Sequence, residues 1–467
     1  MIEDLVDRIR QQVAEDLASP GAAGLTGDDR REYARQRLYV HLDRTVGAPH
    51  WEHGPGSATD GLDVGARETA RLTVDDEERL VTSVLDALFG LGRLQRLIDD
   101  PDVENVDVNG CDRPWVTRAD GSKQLASPVA DDDDGLVEVI RSAAARFGLS
   151  ERRFDVGRPE LDLQLPDGSR LSAVMSVTGR PAISIRRHRF TDLDLDDLVA
   201  LGAMDVGLRS LLGAAVRARK NIIVTGAMNA GKTTMLRALA AEIHPRERIV
   251  TIEQSFELGL DSLPHRHPDL VAMEARPANT EGEGRITVAD LVRRALRMNA
   301  DRVIVGEVLG DEILPMLNAM SQGRSGSMCT IHAESSAGAF RRIASYAAQA
   351  PERLSLEASN LLVAGAVHLV VHLDTEMHDT TDPDPARPTC DDRTGPCAFP
   401  ARPRRARFVA SVREVVDAEG SQIVSNEIYR PGPDRRAQPS APLRPETVDE
   451  LCRFGYDPAS TAPAVVW

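Results

Sequence analysis

One short stretch of this chain restricts its fold more than any other. Residues 226–233 read Gly-Ala-Met-Asn-Ala-Gly-Lys-Thr and fit the pattern G-x-x-x-x-G-K-[S/T]. The apolar run 221–225 before it predicts a buried strand, and the periodic run 234–243 after it predicts a helix. A glycine-rich turn between a strand and a helix points backbone N–H groups at an anion. We therefore expect an α/β fold with a mainly parallel sheet and a phosphate site at the end of this strand.

The turn carries the side chains that a nucleoside triphosphate site requires. Lys232 is expected to reach the β- and γ-phosphates, and Thr233 is expected to offer its hydroxyl to Mg²⁺. Lysine is rare in this sequence, because Lys123, Lys220 and Lys232 are its only examples, so a chance match to the pattern is a poor explanation. The predicted nucleotide-binding residues are Gly226, Ala227, Met228, Asn229, Ala230, Gly231, Lys232, Thr233 and Thr234.

Three further apolar runs end in residues that suit phosphate chemistry. The runs RIVTI, DRVIVG and SMCTI are followed by Glu253, Glu307 and His332, and the first of these residues opens the acidic run EQSFE. The carboxyl ends of parallel strands meet at one edge of a sheet, where ligands bind. There one carboxylate can orient or deprotonate an attacking water, the other can hold the water shell of a metal, and an imidazole can sense the γ-phosphate. Each residue alone is an ordinary strand end, but the set behind a P-loop predicts a hydrolytic site.

The rest of the chain divides by composition and periodicity. We expect a helical extension with a flexible linker at 1–75, a smaller α+β domain at 76–190 and a connector at 191–200. The ATPase domain is expected at 201–375, followed by a Pro- and Arg-rich loop, a β-hairpin and a tail at 376–467.

Composition excludes several classes of protein. The formal charge of −17 disfavours a protein whose main task is to grip nucleic acid. No run approaches the roughly 18 apolar residues of a membrane-spanning helix, and the acidic, amphipathic start does not resemble a signal peptide. The five scattered cysteines fit a reducing compartment better than a disulfide scaffold.

Together, these motifs resemble those of the type II/type IV secretion ATPase superfamily, and most closely those of the CpaF/TadA-type branch that powers Tad (Flp) pili. The stretches that carry the resemblance are VTGAMNAGKTT, RIVTIEQSFEL, EARPANTEGEGRIT, LVRRALRMNADRVIVGEVLG and GSMCTIHAESS, with LGRLQRLIDDPDVENVDVNG upstream. The resemblance implies a cytoplasmic homohexamer that uses ATP and Mg²⁺ to drive an inner-membrane platform protein. Each subunit would have a PAS-like N-terminal domain and a RecA-like motor domain.

The resemblance also implies roles for the strand-end residues. Glu253 matches the catalytic glutamate, Glu307 matches the Walker B acid and His332 matches the residue of the His box. Thr233 and Glu307 would serve the metal. These roles imply a hydrolase.

Four arginines of the N-terminal domain enter through the same resemblance. Arg170 and Arg186 match arginines that reach toward the γ-phosphate, where a positive charge stabilises the transition state. Arg180 and Arg187 are read either as site residues or as surface residues.

Three positions depart from the pattern of the superfamily. Gln254 stands where an aspartate is usual, Leu309 stands where an arginine is usual, and Arg324-Ser325 replaces a His-Asp pair. None of these changes removes a residue predicted to be essential. We therefore expect a slow but real ATPase.

Two other functions stay open on the sequence alone. Weakened hydrolysis would leave a nucleotide-switched binding or scaffold protein of the same fold. A P-loop enzyme acting on a small molecule or on DNA is less favoured, because the chain is acidic and no separate substrate pocket is evident. Turnover that rises with protein concentration would distinguish a ring motor from a scaffold.

Overall fold

The computed structural model describes residues 2–46, 73–118, 122–147, 153–187, 192–278, 282–321, 325–378 and 404–461. The described residues up to 165 and those at 171–187 form one compact unit. Residues 166–170 and the described residues from 192 onward form a second. The linker predicted after the N-terminal helices and most of the Pro- and Arg-rich loop lie outside the described residues.

The first unit begins with three helices that share a small apolar core. They are α1 (Ile2–Leu17), α2 (Gly27–Val46) and α3 (Val74–Phe89). Ile9 and Val13 lie one helical turn apart on α1 and pack in one buried cluster with Leu38 of α2 and Val84 of α3. The predicted division at 75 therefore falls inside α3, a helix that packs with the two before it.

The remainder of the first unit is a six-stranded sheet with two helices. Its elements are α4 (Arg93–Asp99), β1 (Val103–Asn109), β2 (Pro114–Arg118), β3 (Lys123–Leu125), α5 (Asp133–Phe147), β4 (Glu160–Gln164), β5 (Arg170–Val174) and β6 (Ala182–Arg186). The strand order is β3-β2-β1-β6-β5-β4. Alternate residues such as Leu161 and Leu163 join Ile140 of α5 in the core, which is the pattern of a sheet with one buried face. The smaller α+β domain expected from the sequence is confirmed.

The second unit is built on a nine-stranded sheet. Its strands are β7 (Ile222–Gly226), β8 (Ile249–Glu253), β9 (Leu270–Glu274), β10 (Arg302–Val308), β11 (Met328–His332), β12 (Leu369–His378), β13 (Arg404–Glu419), β14 (Gln422–Pro431) and β15 (Ala437–Pro439). The order is β15-β14-β13-β12-β7-β11-β10-β8-β9. The six strands from β12 to β9 pair in parallel, whereas β12 through β15 pair antiparallel.

Helices cover both faces of this sheet. They are α6 (Leu195–Ala200), α7 (Val206–Arg217), α8 (Lys232–Ala240), α9 (Val288–Ala295), α10 (Ile313–Ser321), α11 (Ser336–Gln349), α12 (Leu356–Ala366) and α13 (Pro445–Cys452). Residues of α7 and α8 pack in one apolar core, and residues of α9 to α12 pack in another. Every residue of β7 and β8 is buried as a result, which explains why these strands are mostly apolar and do not alternate with polar residues. The predicted RecA-like α/β fold with a mainly parallel sheet is confirmed. No described helix has both the length and the apolar content to cross a membrane.

The C-terminal hairpin lies in this same sheet rather than beside it. β13 pairs with β12 from Leu369↔Glu414 to His378↔Arg404 and so extends the sheet by an antiparallel ribbon. A boundary at 375 thus separates strands that the structure joins. The residues at 376–378 and 404–407, predicted to be loop, are strand because the ribbon continues past the apolar part of β12. The tail, in which no element was predicted, contains α13, whose Leu451 is fully buried.

Candidate nucleotide site

The glycine-rich turn runs from the end of β7 to the start of α8. Gly231 has a φ of +92° and stands directly before Lys232, the first residue of α8. Glycine adopts this left-handed conformation at little cost. A Cβ atom at Gly226 would lie 2.7 Å from the carbonyl oxygen of Leu373, so the backbone of β7 passes too close to β12 for a side chain. The two glycines therefore let the chain turn sharply into the N-terminus of α8, where backbone N–H groups and the helix dipole favour an anion.

Lys232 is buried at the mouth of this turn. It is 7% exposed, and its Nζ donates a hydrogen bond to the carbonyl oxygen of Ala227 at 3.0 Å. The same Nζ lies 3.1 Å from Nδ1 of His332 and 4.0 Å from Oε1 of Glu307. The side chain that should bind phosphate is thus held within the turn by neighbouring acceptors.

His332 links the lysine to a carboxylate. Its Nε2 lies 2.7 Å from Oε1 of Glu307, on the neighbouring strand. Because the ammonium of Lys232 can only donate, Nδ1 accepts and Nε2 carries the proton that is donated to Glu307. The structure therefore brings three predicted site residues into one hydrogen-bonded chain. Glu307 lies inside β10 and not after it, since this strand continues to Val308.

Glu253 is the last residue of β8 and is 4% exposed. Its Oε1 accepts hydrogen bonds from the backbone N–H groups of Glu257 at 3.0 Å and Leu258 at 2.8 Å. Burial raises the pKa of the Glu253 carboxyl to about 8, although these two hydrogen bonds oppose the shift. In this geometry, Glu253 fixes the path of the loop that follows β8.

Glu257 is the carboxylate that contacts the turn. The hydroxyl of Thr233 donates to its Oε1 at 3.3 Å. Its loop is anchored to α8 by Arg237, which is 5% exposed and donates from Nε to the carbonyl oxygen of Leu258 at 2.8 Å and from a second nitrogen to that of Glu257. The sequence reasoning quoted Glu257 in the acidic run but gave it no role. Its position in the acidic run, four residues after Glu253, was the feature of the sequence that could have indicated a role at the site.

The oxygen atoms beside the turn suit the metal that the sequence implies. Mg²⁺ prefers hard oxygen ligands and usually keeps several waters while it binds one or two protein groups and the phosphates. The Thr233 hydroxyl and the Glu257 carboxylate are oxygen donors of this kind and already touch one another. Glu307 is bonded instead to His332. Thr233 and Glu257 are therefore a second pair of oxygen donors that fits Mg²⁺, and the pair Thr233 and Glu307 stays a prediction.

A residue of the C-terminal hairpin also reaches the turn. Arg407 of β13 donates from Nε to the carbonyl oxygen of Asn229 at 3.0 Å. Asn229 has a φ of +62°, an uncommon conformation for a residue with a side chain. Sequence reasoning missed Arg407, because nothing in the sequence indicates the register by which β13 brings it beside the P-loop.

Three of the four predicted arginines belong to the first unit, whereas Arg170 ends the segment 166–170 that belongs to the second. Arg170 begins β5 and is half-buried, whereas Arg186 ends β6 and is exposed. Arg180 forms ion pairs of 2.7 Å with both Asp112 and Asp133, so it is held within its own unit.

The fourth arginine has a similar structural use. Arg187 donates to the backbone carbonyl oxygens of Asp100 and Val103. Roles for Arg170 and Arg186 at the nucleotide stay predictions.

The three departures from the expected motifs lie on the surface or outside the described residues. Gln254 is exposed directly after Glu253, and Leu309 is 52% exposed after β10. Arg324 lies outside the described residues, and Ser325 is exposed. The described departures therefore leave the buried contacts of the site intact.

Comparison with known proteins identifies related chains. The Mycobacterium tuberculosis (strain H37Rv) protein named "Putative conjugal transfer protein Rv3659c" is 35% identical over 295 residues, which cover 61% of this chain and 80% of that protein. Type IV secretion system protein VirB11 of Brucella suis is 29% identical over 332 residues, which cover 65% of this chain and 90% of that protein.

Solved structures of similar chains include two ATPases. The ATPase DotB of Legionella pneumophila aligns over 70% of this chain and 81% of its own, with 16% identity and a TM-score of 0.49. The VirB11 ATPase of Brucella suis, solved with sulphate, aligns over 65% of this chain and 94% of its own, with 26% identity and a TM-score of 0.32.

The model of one protein family matches residues 88–433, well over half of the 467 residues. That family is described as Type II/IV secretion system protein. The match spans the six-stranded sheet, the glycine-rich turn and the whole of the hairpin that carries Arg407. It confirms the superfamily that the motifs resemble, while membership of the CpaF/TadA-type branch stays a prediction. This chain belongs to the Type II/IV secretion system protein family.

Proposed function

We propose that this chain is a Mg²⁺-dependent ATP hydrolase that acts as the motor of a secretion or pilus-assembly system. The observation that carries the proposal is the chain of contacts from Lys232 through His332 to Glu307 at the P-loop. Relatives named for conjugal transfer and for type IV secretion support a secretion machine. The P-loop lysine, with the imidazole and the carboxylates beside it, supports hydrolysis.

The geometry suggests how the residues share the work. When phosphate arrives, Lys232 exchanges the carbonyl oxygen of Ala227 for phosphate oxygens, which frees His332 to follow the γ-phosphate. Bound Mg²⁺ would neutralise charge on the phosphates. Glu257, beside Thr233, is placed to orient water or a metal ligand. The sequence instead predicts that Glu253 is the catalytic residue. Its pKa of about 8 suits a general base. Its buried Oε1, however, already accepts two hydrogen bonds from the backbone.

The finer features of the proposal rest on the resemblance of the motifs. We propose a hexameric ring at the cytoplasmic face of the inner membrane, coupled to a platform protein. A Tad-type pilus is the machine that the motifs favour. The names of the relatives instead favour conjugation or type IV secretion. Two observations distinguish a pilus system from a conjugation or type IV secretion system. One is the kind of locus that encodes the platform partner. The other is whether deletion of the gene for this chain abolishes pili or substrate export.

A nucleotide-switched scaffold is the second candidate. Leu309 favours it, because an exposed leucine stands where the superfamily usually has an arginine. The scaffold would bind ATP firmly and release no phosphate at any protein concentration.

The direct test is phosphate release by the purified chain with Mg²⁺ and ATP. Lys232→Ala should abolish release, because it removes the cation of the turn. Lys123→Ala is the matched control, since Lys123 lies in the first unit beside Asp107. Binding without release in the wild type would overturn the hydrolase and favour the scaffold. Release that survives Lys232→Ala would remove this site from the reaction.

A further inference from the structure

Two donors of the glycine-rich turn converge on a single backbone oxygen. The carbonyl oxygen of Ala227 accepts from Nζ of Lys232 at 3.0 Å and from the backbone N–H of Ala230 at 3.3 Å. The N–H of Ala230 therefore points across the turn, toward the same acceptor as the lysine. Turns of this kind bind phosphate oxygens through their backbone N–H groups. The direction of the Ala230 N–H should thus affect phosphate binding, as the charge of Lys232 does.

The direction of this N–H depends on the peptide unit that joins Asn229 to Ala230. A trans peptide unit is planar, so the carbonyl oxygen of Asn229 and the N–H of Ala230 point in opposite directions. Nε of Arg407 donates a hydrogen bond to that carbonyl oxygen at 3.0 Å. A contact that holds the oxygen toward β13 also holds the N–H on the opposite side of the plane, toward Ala227.

Arg407 contacts the turn on both sides of Ala230. On one side is the hydrogen bond to Asn229, and on the other a Cβ atom at Gly231 would lie 3.3 Å from Cδ of Arg407. Asn229 and Gly231 have φ values of +62° and +92°. The left-handed conformation costs free energy at a residue with a side chain. A contact from outside the turn therefore helps to keep Asn229 in this conformation.

The backbone that carries Arg407 is itself held in place. Arg407 pairs with Thr375 of β12. The next residue, Phe408, is fully buried. The backbone N–H of Val409 donates to the carbonyl oxygen of Ala203 at 2.9 Å. The strand can therefore act as a fixed support for the side chain that reaches the turn.

Further along β13, two side chains fasten the C-terminal ribbon to α11. Oγ of Ser411 and Nε of Arg413 both donate to Oγ of Ser336, the first residue of α11, at 2.8 and 3.0 Å. Arg413 also forms an ion pair of 2.9 Å with Glu427 of β14. The ribbon is thus bonded to the body of the second unit beyond its pairing with β12, which supports Arg407 from a second direction.

We propose that Arg407 is a positioning residue for the phosphate turn, which it holds with the Ala230 N–H directed at the phosphates. The inference rests on the proposed function and deepens it, because it assigns the preorganisation of the turn to the C-terminal ribbon. The role requires a hydrogen-bond donor at the position of Nε. A residue that attracted phosphate by charge would require the positive charge instead.

Two substitutions separate the donor from the charge. A glutamine side chain carries Nε2 as many bonds from the backbone as Nε of arginine, without the charge, whereas methionine carries a methyl group there. Arg407→Met should weaken binding of ATP and of inorganic tripolyphosphate, each with Mg²⁺, about three- to tenfold, the effect of one hydrogen bond. Arg407→Gln should recover most of this loss. Equilibrium dissociation constants measure both effects.

Arg430→Met is the matched control, because Arg430 is an exposed arginine of β14 in the same ribbon. It should bind both ligands as the wild type does. Arg407 is also exposed, so neither of its substitutions leaves a cavity or a buried charge. Urea unfolding verifies that all three variants are folded under the conditions of the binding measurement.

The outcomes separate this inference from the function on which it rests. Equal loss of binding in Arg407→Gln and Arg407→Met would overturn the positioning role, because the charge would then be the cause. Unchanged binding in Arg407→Met would overturn it as well, and so would an equal loss in Arg430→Met. Tripolyphosphate that fails to bind the wild type, or that binds Lys232→Ala equally well, would overturn the proposed function itself.

Discussion

At the scale of the residue, the charged side chains of the site contact one another and the backbone of the turn. The ammonium of Lys232 donates to Ala227 and contacts His332, and the imidazole in turn faces Glu307. Nucleotide binding is therefore an exchange of partners, in which phosphate oxygens must replace a carbonyl oxygen and an imidazole nitrogen. Such an exchange contributes less net free energy than the same contacts made by an unpaired lysine would.

Glu253 at the end of β8 and Glu257 in the loop after it should differ in their effects on turnover. We expect Glu257→Gln to reduce phosphate release at least a hundredfold, because its carboxylate faces Thr233 beside the P-loop. Glu253→Gln keeps an oxygen that can accept from the backbone of the loop, so it should retain most of the activity if its role is structural. Steady-state phosphate release at saturating Mg²⁺ and ATP measures both. The reverse order of effects would restore the prediction that Glu253 is the catalytic residue.

The raised pKa of Glu253 predicts a dependence of stability on pH. Between its ordinary pKa of 4.5 and the folded value of about 8, the folded chain holds a proton that the unfolded chain has released. The free energy of unfolding should therefore fall as pH rises through this range, by up to about 1.4 kcal/mol per pH unit from this group. Urea unfolding of the wild type and Glu253→Gln at about pH 5.5 and pH 7.5 measures it. The variant should lose less stability between the two pH values, and an equal loss in both proteins would contradict the assignment.

At the scale of the element, the sequence indicates each strand end but not how the strands are ordered. The apolar runs before Glu253, Glu307 and His332 predict buried parallel strands because both faces of such strands are covered. The position of β13 could not be predicted, since its pairing with β12 follows a long connection that carries no periodic signal. The contact of Arg407 with the P-loop therefore could not be predicted from the sequence, and neither could that of Glu257, because loop residues have no periodic pattern that indicates where a side chain points.

A buried ion pair joins several elements at the other end of β10. Arg302 is fully buried, and two of its nitrogens donate to the two carboxylate oxygens of Glu247 at 2.9 and 2.8 Å. Arg302 also donates to the carbonyl oxygen of Val216 at 2.8 Å. Glu247→Gln should lower the free energy of unfolding by about 3–5 kcal/mol, because it leaves a buried guanidinium without its counter-charge.

Urea unfolding of three proteins checks this prediction. The double variant Glu247→Gln with Arg302→Met removes the stranded charge and should recover much of the loss. A single variant as stable as the wild type would show that the guanidinium finds adequate partners in the backbone alone.

At the scale of the whole molecule, two units with separate cores must act together if the chain is a motor. The second unit contains the P-loop together with Glu253, Glu307 and His332. The first unit contains Arg186, the last residue of β6. Hydrolysis that needs an arginine from the first unit would require that arginine to reach a nucleotide bound in the second. The resemblance to secretion ATPases implies this arrangement within a ring.

Assembly should therefore appear in the kinetics. We expect phosphate release per subunit to rise with protein concentration and then level off, as sites are completed by association. Arg186→Ala should keep the affinity for ATP but lose turnover, because its charge would act on the transition state. Light scattering across the same concentrations gives the oligomeric state. Turnover per subunit that stays constant while the mass stays that of one chain would rule out the ring.

The edge strand β15 restricts one route of self-association in such a concentration series. It has three residues and ends in Pro439, which has no N–H to donate. A short edge with a proline is a poor template for a strand from another molecule, so cross-β stacking and gelation are blocked on this side of the sheet. Growth in mass that comes from packing between folded surfaces should instead reverse on dilution, as an assembly does and an aggregate does not.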